Sequence, residues 1–254
     1  MGSWKRWSVV AGYGLAMGWL EAAVVVYLRT WMARIEPLQP DPLPMIAGIS
    51  RIEMLREAAT LVMIAAVGWL AGQTRRSRLG YALVIFGTWD LSYYLFLKVV
   101  LGWPSSLLAW DILFLLPLPW WGPVLAPVAI AVLMIAAGIL LVCADLHLQS
   151  VRSQPMGLVA ASAGTTLALA IFLSDAARAL PDGEQAVRRA LPTTFAWPQF
   201  MVALVLMAVP VVDLALKLRG QILPARRTHY GTSEHAGRPA EPAPDASVGA
   251  NLDS

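Results

Sequence analysis

Six stretches of this chain are each long and apolar enough to cross a lipid bilayer, and that limits the fold more than any other feature. They cover roughly residues 7–32, 51–72, 79–101, 123–145, 156–175 and 195–217. About 20 consecutive apolar residues span the hydrocarbon core of a membrane. Lipid offers no partner to a backbone N–H or C=O, so a crossing segment must pair both internally, as a helix does. The expected fold is all-α, a polytopic integral-membrane helical bundle with six transmembrane helices. A hydrophobic share of 58% over 254 residues, with 14% charged, fits that class.

One further apolar stretch does not fit the count. Trp110 to Gly122, WDILFLLPLPWWG, is too short to span, and Pro117 and Pro119 interrupt it. The segment at about 107–122 is therefore expected to be re-entrant or interfacial. Its alternative is a seventh, broken span, which would reverse the threading of everything after it. Residues 1–227 form the expected transmembrane bundle. The Pro/Ala/Gly-rich stretch 228–254 reads as a disordered cytoplasmic tail. Lys5 and Arg6 precede the first apolar run as in a signal peptide. That run carries Glu21 and lacks a small-residue cleavage site, so it is expected to be a retained span.

Charge orients the bundle. With the N-terminus inside, the cytoplasmic segments collect Lys5, Arg6, Arg75, Arg76, Arg78, Arg152, Lys217, Arg219, Arg226, Arg227 and Arg238, eleven of the 19 basic residues. Positive charge favours the cytoplasmic side, so both termini are expected in the cytoplasm and the protein in the cell membrane. Tryptophan supports the same threading. Trp4, Trp7 and Trp69 fall at the inner interface, and Trp31, Trp103, Trp110, Trp120, Trp121 and Trp197 at the outer one, as an aromatic belt. Trp19 and Trp89 lie at mid-depth, near Glu21 and beside Asp90.

Several functions are disfavoured. The single cysteine, Cys143, gives no disulfide framework or cysteine metal site. The three histidines all fall outside the spans, which argues against haem or zinc within the membrane. A net charge of +3 is usual for cytoplasmic edges, so no nucleic-acid partner is expected. Motifs for a P-loop, a serine hydrolase elbow, an HExxH zinc site or a CxxC pair are absent from the sequence.

The informative residues are charged ones inside the spans. An ionised side chain at a helix centre costs about 2.5–3.5 kcal/mol on insertion scales, so it is seldom incidental. In the first span, Gly14, Gly18, Glu21, Val25 and Arg29 share one stripe at helical spacing. The Gly14–Gly18 pair lets another helix approach closely, so Glu21 should face protein. In the second, Glu53, Arg56, Glu57 and Thr60 share a face. In the third, Gly87, Asp90, Tyr94 and Lys98 do, with Tyr93 adjacent. The threading brings these to one end of three helices, with Asp111 on the segment that covers them.

The expected site is an outward-facing polar pocket. Glu21 and Asp90 are its acid/base candidates, and Arg29, Glu53, Arg56, Glu57, Tyr94, Lys98 and Asp111 its binding groups. Five acids against three bases leave surplus negative charge, met by protons or by a divalent cation with oxygen ligands. Plainer roles exist for each residue. Glu53, Arg56 and Glu57 suit a solvated first turn, Arg29 and Lys98 suit snorkelling, and Asp111 suits a cap. Glu21 and Asp90 could also be a hydrogen-bonded pair locking helices one and three.

Three functions fit such a pocket. One is a membrane-embedded enzyme using carboxylate acid/base chemistry on a lipid-like or isoprenoid substrate. The stretch GWLEAAVVVY, with Trp19 and Glu21, resembles the Trp-Glu first-helix motif of the small integral-membrane terpene cyclases over a few residues, although the span count differs. A second is a proton- or cation-coupled transporter, although no inverted repeat is visible. A third is a structural or assembly subunit of a membrane complex. Membrane lipids are expected partners under all three.

Overall fold

The computed structural model describes residues 3–31, 49–147, 155–192 and 194–231. Among them are seven α-helices: α1 (Ser3–Trp31), α2 (Ile49–Ala71), α3 (Arg75–Leu101), α4 (Leu125–His147), α5 (Pro155–Ala179), α6 (Glu184–Arg189) and α7 (Trp197–Gly231). All but α6 are long and apolar enough to cross a membrane. The protein is thus a multi-pass helical bundle. Outward-facing side chains such as Leu20, Val62 and Val205 are more than half exposed, which suits a lipid surround. The short α6 falls on the polar stretch between the fifth and sixth spans. The described helices divide into two units at Leu216/Lys217, and of the second the C-terminal part of α7 is described. That helix runs to Gly231, past the expected span end at 217, and the rest of the expected tail lies outside the described residues.

The helix α3 is the hub, packing against α1, α2 and α4. It starts with a capping box, in which the Thr74 side chain accepts from the Ser77 N–H and Ser77 accepts from the Thr74 N–H. It stops at Gly102, whose left-handed φ of 70° suits glycine. Glycines set how closely its neighbours approach. A Cβ on Gly18 of α1 would overlap the Ser92 side chain and lie 2.9 Å from the Trp89 carbonyl oxygen. The Gly14–Gly18 stripe therefore faces protein, as expected. On the other side of α3, Gly80 meets Gly138 of α4. A Cβ on Gly138 would lie 2.4 Å from the Gly80 carbonyl oxygen, which is backbone and cannot swing away.

This contact gives a stability prediction. Gly138→Ala should destabilise the detergent-solubilised protein by about 1–3 kcal/mol, the usual size of an overpacking strain. Gly12→Ala is the control, because nothing lies within 4 Å of a Cβ there. It should be neutral or slightly stabilising through helix propensity. Equal thermal unfolding of the two variants would show that the α3–α4 contact yields freely.

The segment expected to be re-entrant or interfacial is an antiparallel hairpin, β1 (Trp110–Phe114) with β2 (Trp120–Pro123). Asp111 stands opposite Gly122 and Phe114 opposite Trp120, with a register shift between Ile112 and Phe114. Pro117 and Pro119, which bar a helix, fall in the connecting loop, where no ladder donor is needed. A two-stranded ribbon is marginal alone, and here β2 packs on α4 and α5. A Cβ on Gly122 would meet the Phe172 ring at 2.9 Å. Two backbone bonds, Val124 N–H to Ala109 O at 2.9 Å and Leu125 N–H to Leu107 O at 2.7 Å, tie the hairpin to the start of α4. Trp103 and Trp121 correct the expected aromatic belt. They are 3% and 4% exposed, so they cap the core of the bundle and do not face headgroups.

Candidate functional site

The site lies beneath the hairpin, at the end of the bundle where α1 and α3 finish and α2 begins. Three anchored contacts build it. The first joins α1 to α2. The Arg56 guanidinium donates through Nη1 to Glu21, and through Nε to Glu53 Oε2 at 2.7 Å. Glu53 and Arg56 are one helical turn apart, which brings their side chains together. Thr60 donates its hydroxyl to the Arg56 carbonyl at 3.0 Å.

The second joins α2 to the hairpin. The backbone N–H of Leu115 donates to both oxygens of the buried Glu57 carboxyl, at 3.1 and 3.0 Å. Leu115 directly follows β1, so this donor has no strand partner. A backbone donor packed away from water requires an acceptor, and Glu57 supplies it.

The third joins α1 and α3 to the hairpin through Asp111, which is 2% exposed. Arg29 donates to Asp111 Oδ1 at 3.2 Å, and the Tyr93 hydroxyl reaches Oδ2 at 3.5 Å. The guanidinium of Arg29 also lies over the Trp103 ring, 3.9 Å from its centroid, a cation–π contact. Burial pushes the Asp111 carboxyl up, to about 6. The Arg29 charge, the Ile112 N–H and the hydroxyls of Tyr94 and Tyr93 hold it back from going further.

The sign of the resulting pH dependence follows. An unfolded aspartate loses its proton near pH 4, whereas the folded protein holds the Asp111 proton to about 6. Between these values the folded state binds more protons, so this group's contribution to stability falls as pH rises and is level above. About two pH units correspond to about 3 kcal/mol. The stability gap between wild type and Asp111→Asn should therefore narrow by about that much from pH 4 to pH 6, as read by unfolding in detergent. A gap independent of pH would show that Arg29 keeps the carboxylate ionised throughout.

Asp90 is placed differently from the rest. Its carboxyl lies close enough to those of Asp111 and Glu21 to interact with them electrostatically, yet its Oδ2 is buried with no hydrogen-bond partner among the described residues. Of the alternatives for Glu21 and Asp90, the hydrogen-bonded pair locking helices one and three is not among the bonds of the described residues; Glu21 accepts from Arg56 of α2. Tyr94 packs buried against Trp103 and reaches Asp111 with its hydroxyl. Lys98 is exposed and donates to the carbonyls of Gly102 and Pro104, at 3.1 and 2.8 Å, where α3 ends. Its charge serves the helix C-terminus.

Among the described residues, the contacts under the hairpin gather the carboxyls of Glu21, Glu53, Glu57, Asp90 and Asp111 and the guanidiniums of Arg29 and Arg56. Among the described residues, no three His, Cys, Asp or Glu side chains are grouped to hold a metal ion. A group that sequence reasoning did not place in the site is Trp103, whose ring carries Arg29. Its signal was its position immediately after the Gly102 helix stop. The chain matches no protein-family model, no curated protein and no solved structure, so the reading of this site rests on its own geometry.

Proposed function

We propose that the protein is a membrane-embedded enzyme that moves a proton on and off an apolar, isoprenoid-like substrate. The observation that carries this reading is Asp90, one of whose carboxyl oxygens is buried beneath the hairpin with no hydrogen-bond partner among the described residues. A buried structural carboxyl ordinarily has its partners in place. Asp90 is the acid that delivers its proton to a carbon–carbon double bond. The O–H bond breaks, a C–H bond forms, and positive charge develops on the neighbouring carbon. Glu21, held as a carboxylate by Arg56, takes a proton from an adjacent carbon and the double bond re-forms. One proton enters and one leaves, so isomerisation or ring closure needs no oxidant or reductant. The Arg29–Asp111 and Glu57–Leu115 contacts hold the hairpin over the site and exclude water.

In this reading both termini are cytoplasmic and the hairpin faces the outside of the cell membrane, in keeping with the distribution of basic residues. The test is to supply farnesol and longer polyprenols to the purified protein in deuterated buffer, and to follow carbon-bound deuterium by mass spectrometry. Incorporation is the expected result. Its absence across the series would sink the reading.

One observation favours a proton-coupled transporter as the second reading. Asp90, Glu21, Arg56 and Glu53 form a row of ionisable groups from within α3 to the start of α2, as a proton relay requires. Proton uptake by proteoliposomes, without deuterium incorporation, would select it. Partner subunits retained through gentle extraction, with neither activity, would select the assembly-subunit reading.

A further inference from the structure

The two ends of the bundle differ in how their positive charges are met. Under the hairpin, Arg29 and Arg56 donate to carboxylates. At the opposite end, where α1 and α3 begin and α2 finishes, stand Lys5, Arg6, Arg75, Arg76 and Arg78. Among the described residues, none of these five pairs with a carboxylate. Asp145 of α4 also comes to this end, but it accepts the Thr74 hydroxyl at 2.6 Å.

Packing brings the cations to one surface. The Trp7 ring centroid lies 5.0 Å from that of Tyr81, so the start of α1, with Lys5 and Arg6, rests on the first turns of α3. The turn from α2 to α3 is tight, with no room for a Cβ on Gly72 against the Arg78 backbone. It sets Arg78 beside the end of α2, where the guanidinium lies 3.6 Å from the Trp69 ring centroid, a cation–π contact. Arg78 Nε donates to the Gly72 carbonyl at 3.4 Å. The plane of this guanidinium is thus fixed, and its two Nη groups hold donors that no described residue takes up.

The border of the patch is apolar and open. Trp4, Trp69 and Leu70 are 81%, 62% and 79% exposed. Exposed indoles at the ends of spans suit the boundary between headgroups and acyl chains. Lys5 and Arg75 are exposed as well, and Arg6, Arg76 and Arg78 are half-buried.

We propose that this end of the bundle binds an anionic phospholipid, its phosphate on Arg78 and the neighbouring cations and its acyl chains against Trp69 and Leu70. Charge complementarity carries the inference: cations without carboxylate partners meet a head of net negative charge. A guanidinium offers parallel N–H donors that match phosphate oxygens. A choline head carries its own cation beside the phosphate, so the patch selects against it. None of these groups lies under the hairpin, and the inference is independent of the acid/base reading.

The experiment equilibrates the full-length protein in detergent with equal amounts of phosphatidylglycerol and phosphatidylcholine of the same acyl chains. Native mass spectrometry then counts the lipids retained. Wild type should retain phosphatidylglycerol preferentially. A basic side chain near an anionic head contributes about fivefold in affinity. Arg78→Gln should therefore lower the ratio of the two lipids about fivefold, and the double variant Arg75→Gln, Arg76→Gln should lower it further. Arg51→Gln removes an exposed arginine at the other end of α2, so it is the control for lost net charge and should leave the ratio as it was. Thermal unfolding of the same samples identifies a misfolded variant. The side chains of Arg75 and Arg76 make no hydrogen bond among the described residues, so the double variant tests the patch even if Arg78→Gln loosens the turn. Equal retention of the two lipids by wild type, or an equal fall with Arg51→Gln, would overturn the proposal. So would displacement of phosphatidylglycerol by millimolar inorganic phosphate at constant ionic strength, which would make the patch a site for a free anion.

Discussion

Asparagine at Asp90 is expected to lower deuterium incorporation about 10²–10⁴-fold, the range that a positioned general acid contributes. The substitution keeps shape and volume. It removes a carboxyl whose Oδ2 has no hydrogen-bond partner among the described residues. An asparagine amide cannot deliver a proton to carbon, so the loss should fall on turnover and spare binding. Stability should hold. Like the protonated carboxyl that serves as the acid, the asparagine amide is uncharged, so no charge is gained or lost beside Asp111 and Glu21. Thermal unfolding of Asp90→Asn is expected at the wild-type temperature. A variant with full activity would end the assignment of Asp90 as the acid. A variant that is inactive because it unfolds would make Asp90 a structural residue. The split between activity and stability is therefore the informative readout.

How far the sequence predicts this site depends on the range of each interaction. The stripe Gly14, Gly18, Glu21 is local, set by helical spacing, and the structure turns it to protein as expected, the two glycines against α3 and Glu21 against Arg56 of α2. The six spans are equally local, because lipid forces any long apolar run into a helix. The contact of Gly80 with Gly138 is not local. Nothing in either helix announces that those two glycines meet. The hairpin is of the same kind: two prolines reveal that residues 107–122 are not a helix, but strand pairing depends on register and on the surfaces of α4 and α5 beneath it. Trp103 and Trp121 show a limit of composition. A tryptophan at a span end reads as an interface anchor, and whether its ring faces headgroups or closes a core is decided by what packs over it. Lys98 shares a helical stripe with Asp90 and Tyr94, yet it ends on the carbonyls of Gly102 and Pro104. A long flexible side chain takes the acceptor that its own helix end offers.

Arg56→Met should be the most destabilising single change in the cluster, by about 3–5 kcal/mol, as when one partner of a buried ion pair is removed. The guanidinium serves Glu21 on α1 and Glu53 on α2 together. Its side chain is 23% exposed, against 14% for Glu21 and 13% for Glu53, so water screens the pair only in part. The two helices share few other contacts, each packing mainly on α3. Without Arg56, two carboxylates face each other across the α1–α2 seam with no counter-charge, and the seam should open first. The companion variant adds Glu21→Gln and Glu53→Gln. If repulsion is the main cost, this triple variant recovers most of the lost stability, since neutral amides can hydrogen-bond to one another. Proton transfer should not recover with it, because the carboxylate proposed to take the proton back is gone. Stability restored together with activity would mean that Glu21 only clamps the two helices and that another group accepts the proton. A single Arg56→Met variant as stable as wild type would show that the network contributes no net stabilisation, as buried ion pairs sometimes do when desolvation cancels their attraction.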